Sequence, residues 1–124
     1  MEFSDVNKLA DFVRQTAFDV HVDFPPGYLE KVYENVLKHR LEKSGIEVEQ
    51  QKPIVIRDRD GFVVGEYVAD LVVANRILIE LKAVTTLSPI HEAQLLNYMR
   101  ATGVSDGLLI NFGSEKFQIK KYRL

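Results

Sequence analysis

The chain contains no cysteine and no tryptophan, and only three histidines in 124 residues. Without thiols there is neither a disulfide framework nor a thiolate metal site, so any bound metal must be held by carboxylates, imidazoles or backbone carbonyls. Oxygen ligands select hard cations. Long apolar runs are missing as well: no stretch approaches about 18 apolar residues, the length a membrane-spanning helix needs. Met1-Glu2-Phe3-Ser4-Asp5 has no basic region leading into an apolar segment, so the expectation is a cytoplasmic protein with no membrane partner. One-sided charge is also lacking. Sixteen Lys and Arg against eighteen Asp and Glu give a formal charge of −2 and a pI near 5.9. That sign is wrong for coating nucleic acid through bulk charge, so nucleic acid would have to be gripped locally. There is no internal repeat, low-complexity tract, glycine-rich phosphate loop or Ser-His-Asp set.

Apolar residues make up 46% and charged residues 27% of the chain, ordinary values for a folded core, and residues 1–124 have the length of one domain. Val6, Leu9, Phe12, Val13, Ala17 and Val20 recur at three- and four-residue steps and predict a helix over 6–22, ended by Asp23-Phe24-Pro25-Pro26-Gly27. A second helix over 28–43 carries Leu29, Val32, Tyr33, Val36, Leu37 and Leu41, with Gly45 as its stop. Strand chemistry follows over 48–52, 54–57, 62–73 and 77–83, with turns at Asp58-Arg59-Asp60-Gly61 and Ala74-Asn75-Arg76. Ser88-Pro89 opens a helix to about Ala101, closed by Gly103, and strands over 107–111 and 117–122 end the chain. The order ααββββαββ predicts an α/β or α+β fold, a central mixed sheet flanked by helices.

Two carboxylates stand out because their surroundings are apolar: Asp70 in Val68-Ala69-Asp70-Leu71-Val72-Val73, and Glu80 in Ile77-Leu78-Ile79-Glu80-Leu81. Runs of this kind belong to strands covered on both faces. If Val73 pairs with Ile77 across the turn, Leu71 meets Ile79, Ala69 meets Leu81 and Asp70 falls opposite Glu80. Directly opposed side chains have Cβ atoms roughly 4.5–5.5 Å apart, where like charges repel. Lys82, two residues beyond Glu80, shares its face. The bland alternative is a pair of strand-end acids leaning to solvent. An acid pair that accepts a hard cation, with a lysine beside it, suits phosphodiester hydrolysis. Lys82 would orient water or offset developing negative charge, and the Leu81 backbone carbonyl offers a further ligand.

Asp70 followed by Glu80-Leu81-Lys82 resembles the Asp…Glu-x-Lys core of the PD-(D/E)XK nuclease superfamily. Gly27-Tyr28-Leu29-Glu30-Lys31-Val32-Tyr33 is similar to the signature of its GxxExxY family, and Gln94-Leu95-Leu96-Asn97-Tyr98 to the QxxxY motif of related nucleases. The similarity runs from about Val6 to Tyr122. It implies a restriction-endonuclease-like αβββαβ core, a Mg²⁺- or Mn²⁺-dependent DNA nuclease, and Glu30 as the helix-borne acid near the metal.

The helix wheel places Glu30 between Leu37 and Leu41, at the edge of the apolar stripe, and Glu34 farther from it. A favourable helix-dipole contact would equally account for Glu30. On the third predicted helix His91, Gln94 and Tyr98 share a face. Gln94 and Tyr98 are read as residues that position phosphate or lysine against a merely solvated face, and His91 as either a cap or a DNA contact. His21 and His39 have no partner at ligand spacing. Arg57, Arg59, Arg76, Arg100, Lys116, Lys120, Lys121 and Arg123, with Phe117 and Tyr122 interleaved, could grip a strand, but basic edge strands also guard against aggregation, and that reading is preferred. The expectation is a metal-dependent DNA nuclease acting through Asp70, Glu80, Lys82, Glu30, Gln94 and Tyr98. The rival is a non-catalytic nucleic-acid- or protein-binding module that keeps the fold. A homodimer is expected because one small acidic domain offers little surface to a duplex.

Overall fold

The computed structural model describes residues 3–124. Helix α1, Val6–Asp23, starts where the Asp5 side chain accepts a hydrogen bond from the Asn7 backbone N–H at 2.8 Å, satisfying an otherwise orphaned donor. Its apolar stripe buries Leu9, Ala10, Val13, Ala17 and Val20. Helix α2, Glu30–Lys43, buries Tyr33, Leu37 and Leu41. After it come β1, Val48–Arg57, β2, Val63–Val73, and β3, Ile77–Lys82. Helix α3, Pro89–Thr102, leads to β4, Asp106–Asn111, and β5, Gln118–Arg123. No helix among the described residues is long and apolar enough to cross a membrane.

The five strands lie in the order β1-β2-β3-β4-β5. β3 and β4 are parallel and every other pair is antiparallel, because α3 makes the crossover a parallel pair requires. α1 and α2 cover one face, packing Leu9, Val13, Tyr33 and Leu37 against Leu71, Ile79, Leu81 and Ile110. α3 covers the other, where Leu95 and Met99 meet Ile54, Val72, Leu78 and Leu109. β3 is therefore buried on both sides, as its nearly unbroken apolar run predicts. This is the expected α+β fold with a mixed sheet.

One difference concerns strand count. The segments expected at 48–52 and 54–57 form a single strand, β1, which runs through Pro53. β1 is an edge strand, and edge strands are where a residue without an N–H is tolerated.

The second difference shapes the site. Val73 pairs with Ile77, Val72 with Leu78 and Leu71 with Ile79, as the turn register predicts, but the β2–β3 ladder ends there. The expected pairs Asp70–Glu80 and Ala69–Leu81 do not form. β2 continues with β1, and β3 continues with β4. A gap opens between the two central strands at the acidic residues.

Candidate active site

Asp70 sits at the mouth of this gap, and its Oδ2 accepts a hydrogen bond from the Leu81 backbone N–H at 2.9 Å. A carboxylate thus takes the donor that a longer β2–β3 ladder would have used, which is the physical reason the predicted opposition of Asp70 and Glu80 is not a ladder pair. Glu80 is only 7% exposed, and its Oε1 has no hydrogen-bond partner. A buried, unpartnered carboxylate oxygen is costly when ionised. Burial accordingly pushes the Glu80 carboxyl up to about 7, with Glu30 and Glu34 adding repulsion and Lys82 and the Asp70 backbone amide acting against the rise. Asp70 is also raised, first by burial and then by Glu34, while the Leu81 amide, Gln51 and Lys82 oppose the shift.

Glu30 is the first residue of α2 and remains solvent-exposed. Its carboxyl head nevertheless approaches the gap: partial desolvation raises its pKa, followed by repulsion from Asp70, against the pull of Lys82 and the Ala83 backbone N–H. Lys82 is half-buried and acts on Glu30, Asp70 and Glu80 alike. The structure therefore brings Glu30, Asp70, Glu80 and Lys82 to one end of the β2–β3 gap.

The helix-wheel ranking of the two α2 acids is reversed. Glu34 is the buried one, 2% exposed, and accepts hydrogen bonds from Lys31 at 2.8 Å and from the amides of Gln50 and Gln51. Because α2 begins only at Glu30, that residue lies at the protruding helix end, whereas Glu34 is carried down against β1. Gln51 has a left-handed backbone, φ +53°, and its amide spans Glu34 and Asp70. Neither Glu34 nor Gln51 stood out in the sequence as a site residue of the first rank.

From α3, the Tyr98 hydroxyl is raised by desolvation and then by Glu80, which places it within electrostatic reach of that carboxylate. Its ring stacks on Tyr67 of β2, whose own hydroxyl is buried without a partner. Gln94 lies one turn earlier on α3 and is half-buried. His91 caps the helix: Ser88 and His91 form a capping box, and the Ser88 N–H donates to His91 Nδ1 at 3.2 Å. His21 is buried against Ser114 and Phe117, and His39 is exposed.

Most of the basic residues considered for grip are engaged structurally. Arg76 donates to the Phe3 and Ser4 carbonyls, Arg123 pairs with Asp106, Lys120 pairs with Glu92, and Lys121 donates to Asn7. Arg100 bonds Asn97, Arg57 bonds the Gly61 carbonyl, and Phe117 packs among Phe18, His21 and Phe112.

Among the described residues, no group of three or more His, Asp or Glu side chains is placed to hold a metal ion. What they offer is sparser: Glu80 Oε1 without a donor, Asp70 fixed from β3, and Glu30 at the rim. A hard cation that keeps most of its waters needs only one or two protein carboxylates.

A family profile described as the PD-(D/E)XK nuclease superfamily matches residues 7–122. No curated protein matches the chain. Among solved structures, the chain is similar to that of a protein called SSO0001, with a TM-score of 0.58 at 17% identity over 75% of this chain. The match covers 48% of the SSO0001 chain, so the present chain spans about half of that protein's length. At this identity the likeness concerns the fold.

Proposed function

The chain belongs to the PD-(D/E)XK nuclease superfamily, and from that premise we propose that it hydrolyses phosphodiester bonds in DNA with the help of Mg²⁺ or Mn²⁺, as a cytoplasmic enzyme of the GxxExxY type. The observation that carries the proposal is the buried Glu80 carboxylate, its Oε1 unpartnered, at the same strand gap as Asp70, which accepts the Leu81 N–H. Asp70, Glu80 and the Leu81 backbone carbonyl would hold the cation, with Glu30 at its edge. Bound there, such an ion supplies Lewis acidity to the phosphoryl group and makes water a stronger nucleophile.

The remaining work falls to the chain's own side chains. Lys82 emerges beside the acids and presents a cation that orients the attacking water and offsets charge building on the phosphate. The Tyr98 hydroxyl, near Glu80, and Gln94, one turn before it, orient the phosphate and Lys82. β3, paired with β4 through Lys82, carries Glu80 and Lys82 two residues apart on one hydrogen-bonded strand, which supports a fixed spacing of the two side chains.

Incubating plasmid and single-stranded DNA with the protein in Mg²⁺, Mn²⁺ or EDTA tests the proposal. Cutting that requires metal and disappears in Glu80→Ala protein is expected; cutting that survives in Glu80→Ala comes from a contaminant and defeats it. The proposal extends to a homodimer, which sedimentation at micromolar protein would reveal and a monomer-only profile would refute.

A further inference from the structure

Gln51 is the residue of the site whose conformation has no local explanation. Among the described residues, the other non-glycine positions with positive φ, Ala74 and Asn75, occupy the β2–β3 turn, where a left-handed backbone is routine. Gln51 has φ +53° in the middle of β1, a conformation that costs a side-chain-bearing residue free energy. It lies between the pairs Gln50–Leu71 and Lys52–Ala69, across from Asp70. Around these two residues both strands change face. Val48 and Leu71 pack with α1 and α2, whereas Ile54 and Ala69 pack with α3, although strict alternation would put each pair on a common face.

The side chain shows what accompanies that strain. Gln51 Nε2 donates to both Glu34 oxygens at 3.0 Å and reaches Asp70 Oδ1 at 3.5 Å. Glu34 is itself anchored by Lys31 and Gln50. Asp70 is thus addressed at both oxygens: Oδ2 by the Leu81 N–H from β3, and Oδ1 by Gln51 from β1. We infer that Gln51 is a positioning residue that ties Asp70 to the buried Glu34 and so fixes the orientation of the carboxylate that would hold the cation. This rests on the proposed reading of Asp70 as a ligand.

The chemistry at position 51 fits that task. An amide donates hydrogen bonds between two carboxylates without carrying charge. A lysine there would compete with a cation for Asp70, and a glutamate would repel both neighbours.

The test titrates Mn²⁺ calorimetrically into the metal-free full chain, for wild type, Gln51→Ala, Gln51→Gly and Asp70→Asn, with the metal-free melting temperature of each. Gln51→Ala removes the amide and keeps the backbone strain; Gln51→Gly removes both, which guards against a variant that merely misfolds. The expected result is that both position-51 variants bind Mn²⁺ about tenfold more weakly or worse, the usual scale for losing a residue that orients a ligand, while Gln51→Gly melts close to wild type. If both bind Mn²⁺ like wild type while Asp70→Asn does not, Gln51 only shapes the strand and the inference is overturned with the metal reading intact. Wild-type protein that binds no Mn²⁺ overturns the metal reading and this inference together.

Discussion

The Asp70 carboxylate accepts the Leu81 backbone N–H at 2.9 Å at the point where β2 leaves β3. A side chain stands in for the backbone ladder, so the two central strands separate without leaving that donor unpaired. The residue at this opening is also the acid proposed above to bind a cation in it.

Asp70→Asn separates these roles. Asparagine keeps a carbonyl oxygen for the Leu81 N–H at nearly the same volume and removes one charge from a cluster in which burial and Glu34 already raise the Asp70 carboxyl. The metal-free variant should melt no lower than wild type. Excess Mn²⁺ should stabilise wild type by about 2.7 kcal/mol at a hundredfold excess over Kd, and Asp70→Asn should lose most of that shift. Equal shifts in both proteins would remove Asp70 from the ligand set.

Glu80 predicts a pH dependence with a definite sign. Its carboxyl rises from 4.5 to about 7 on folding, so between those values the native chain holds a proton that the unfolded chain has released. Stability of the metal-free protein therefore falls as pH rises through this window, with a loss of about 3 kcal/mol complete above pH 7. Glu80→Gln should flatten the profile and be the more stable protein at pH 8. Denaturation curves at intervals from pH 4.5 to 8 check this; parallel profiles for the two proteins would contradict it. Because a ligand carboxylate must be ionised, Mn²⁺ affinity should climb over the same range.

Tyr98→Phe removes only a hydroxyl near Glu80 and retains the ring stacked on Tyr67. The fold should survive, and turnover should drop by about tenfold to a hundredfold, the scale of one hydrogen bond to a charged group. Unchanged turnover would leave Tyr98 as a packing residue.

Gly113→Ala tests how Lys82 is held. A Cβ at Gly113 would lie 2.3 Å from both the Ala83 carbonyl carbon and the Val84 nitrogen, atoms of the backbone that follows Lys82. That segment is stapled to β4 and the residue after it: Asn111 bonds the Val84 N–H and carbonyl at 3.0 and 2.9 Å, and the Phe112 N–H donates to the Lys82 carbonyl. The variant should be destabilised by about 1–3 kcal/mol and should cut DNA more slowly. Wild-type melting would show that the segment yields freely.

Much of this arrangement can be read from local pattern. Acids inside apolar strands are rare enough to stand out, so Asp70 and Glu80 are visible without tertiary information, and the Ala74-Asn75-Arg76 turn fixes their register as far as Leu71–Ile79. Three things are not visible. The end of the ladder depends on a side-chain hydrogen bond from Asp70 to the next strand, which no periodicity encodes. Glu34 and Gln51 depend on how α2 lies over β1: a helix wheel ranks angles about the axis but does not say where the helix begins, and a glutamine carries no sequence mark of a left-handed backbone. The Tyr67–Tyr98 stack likewise joins α3 to a strand distant in the chain.

Whether these side chains hydrolyse phosphodiester bonds with a bound divalent ion is decided by single-turnover cleavage of end-labelled DNA by wild type and Lys82→Ala in Mn²⁺. Wild type should cleave in a reaction that EDTA abolishes, and Lys82→Ala should lose about a hundredfold or more in rate while keeping its Mn²⁺-induced rise in melting temperature. Wild-type protein that leaves the DNA intact, or Lys82→Ala that cuts at the wild-type rate, would contradict that mechanism.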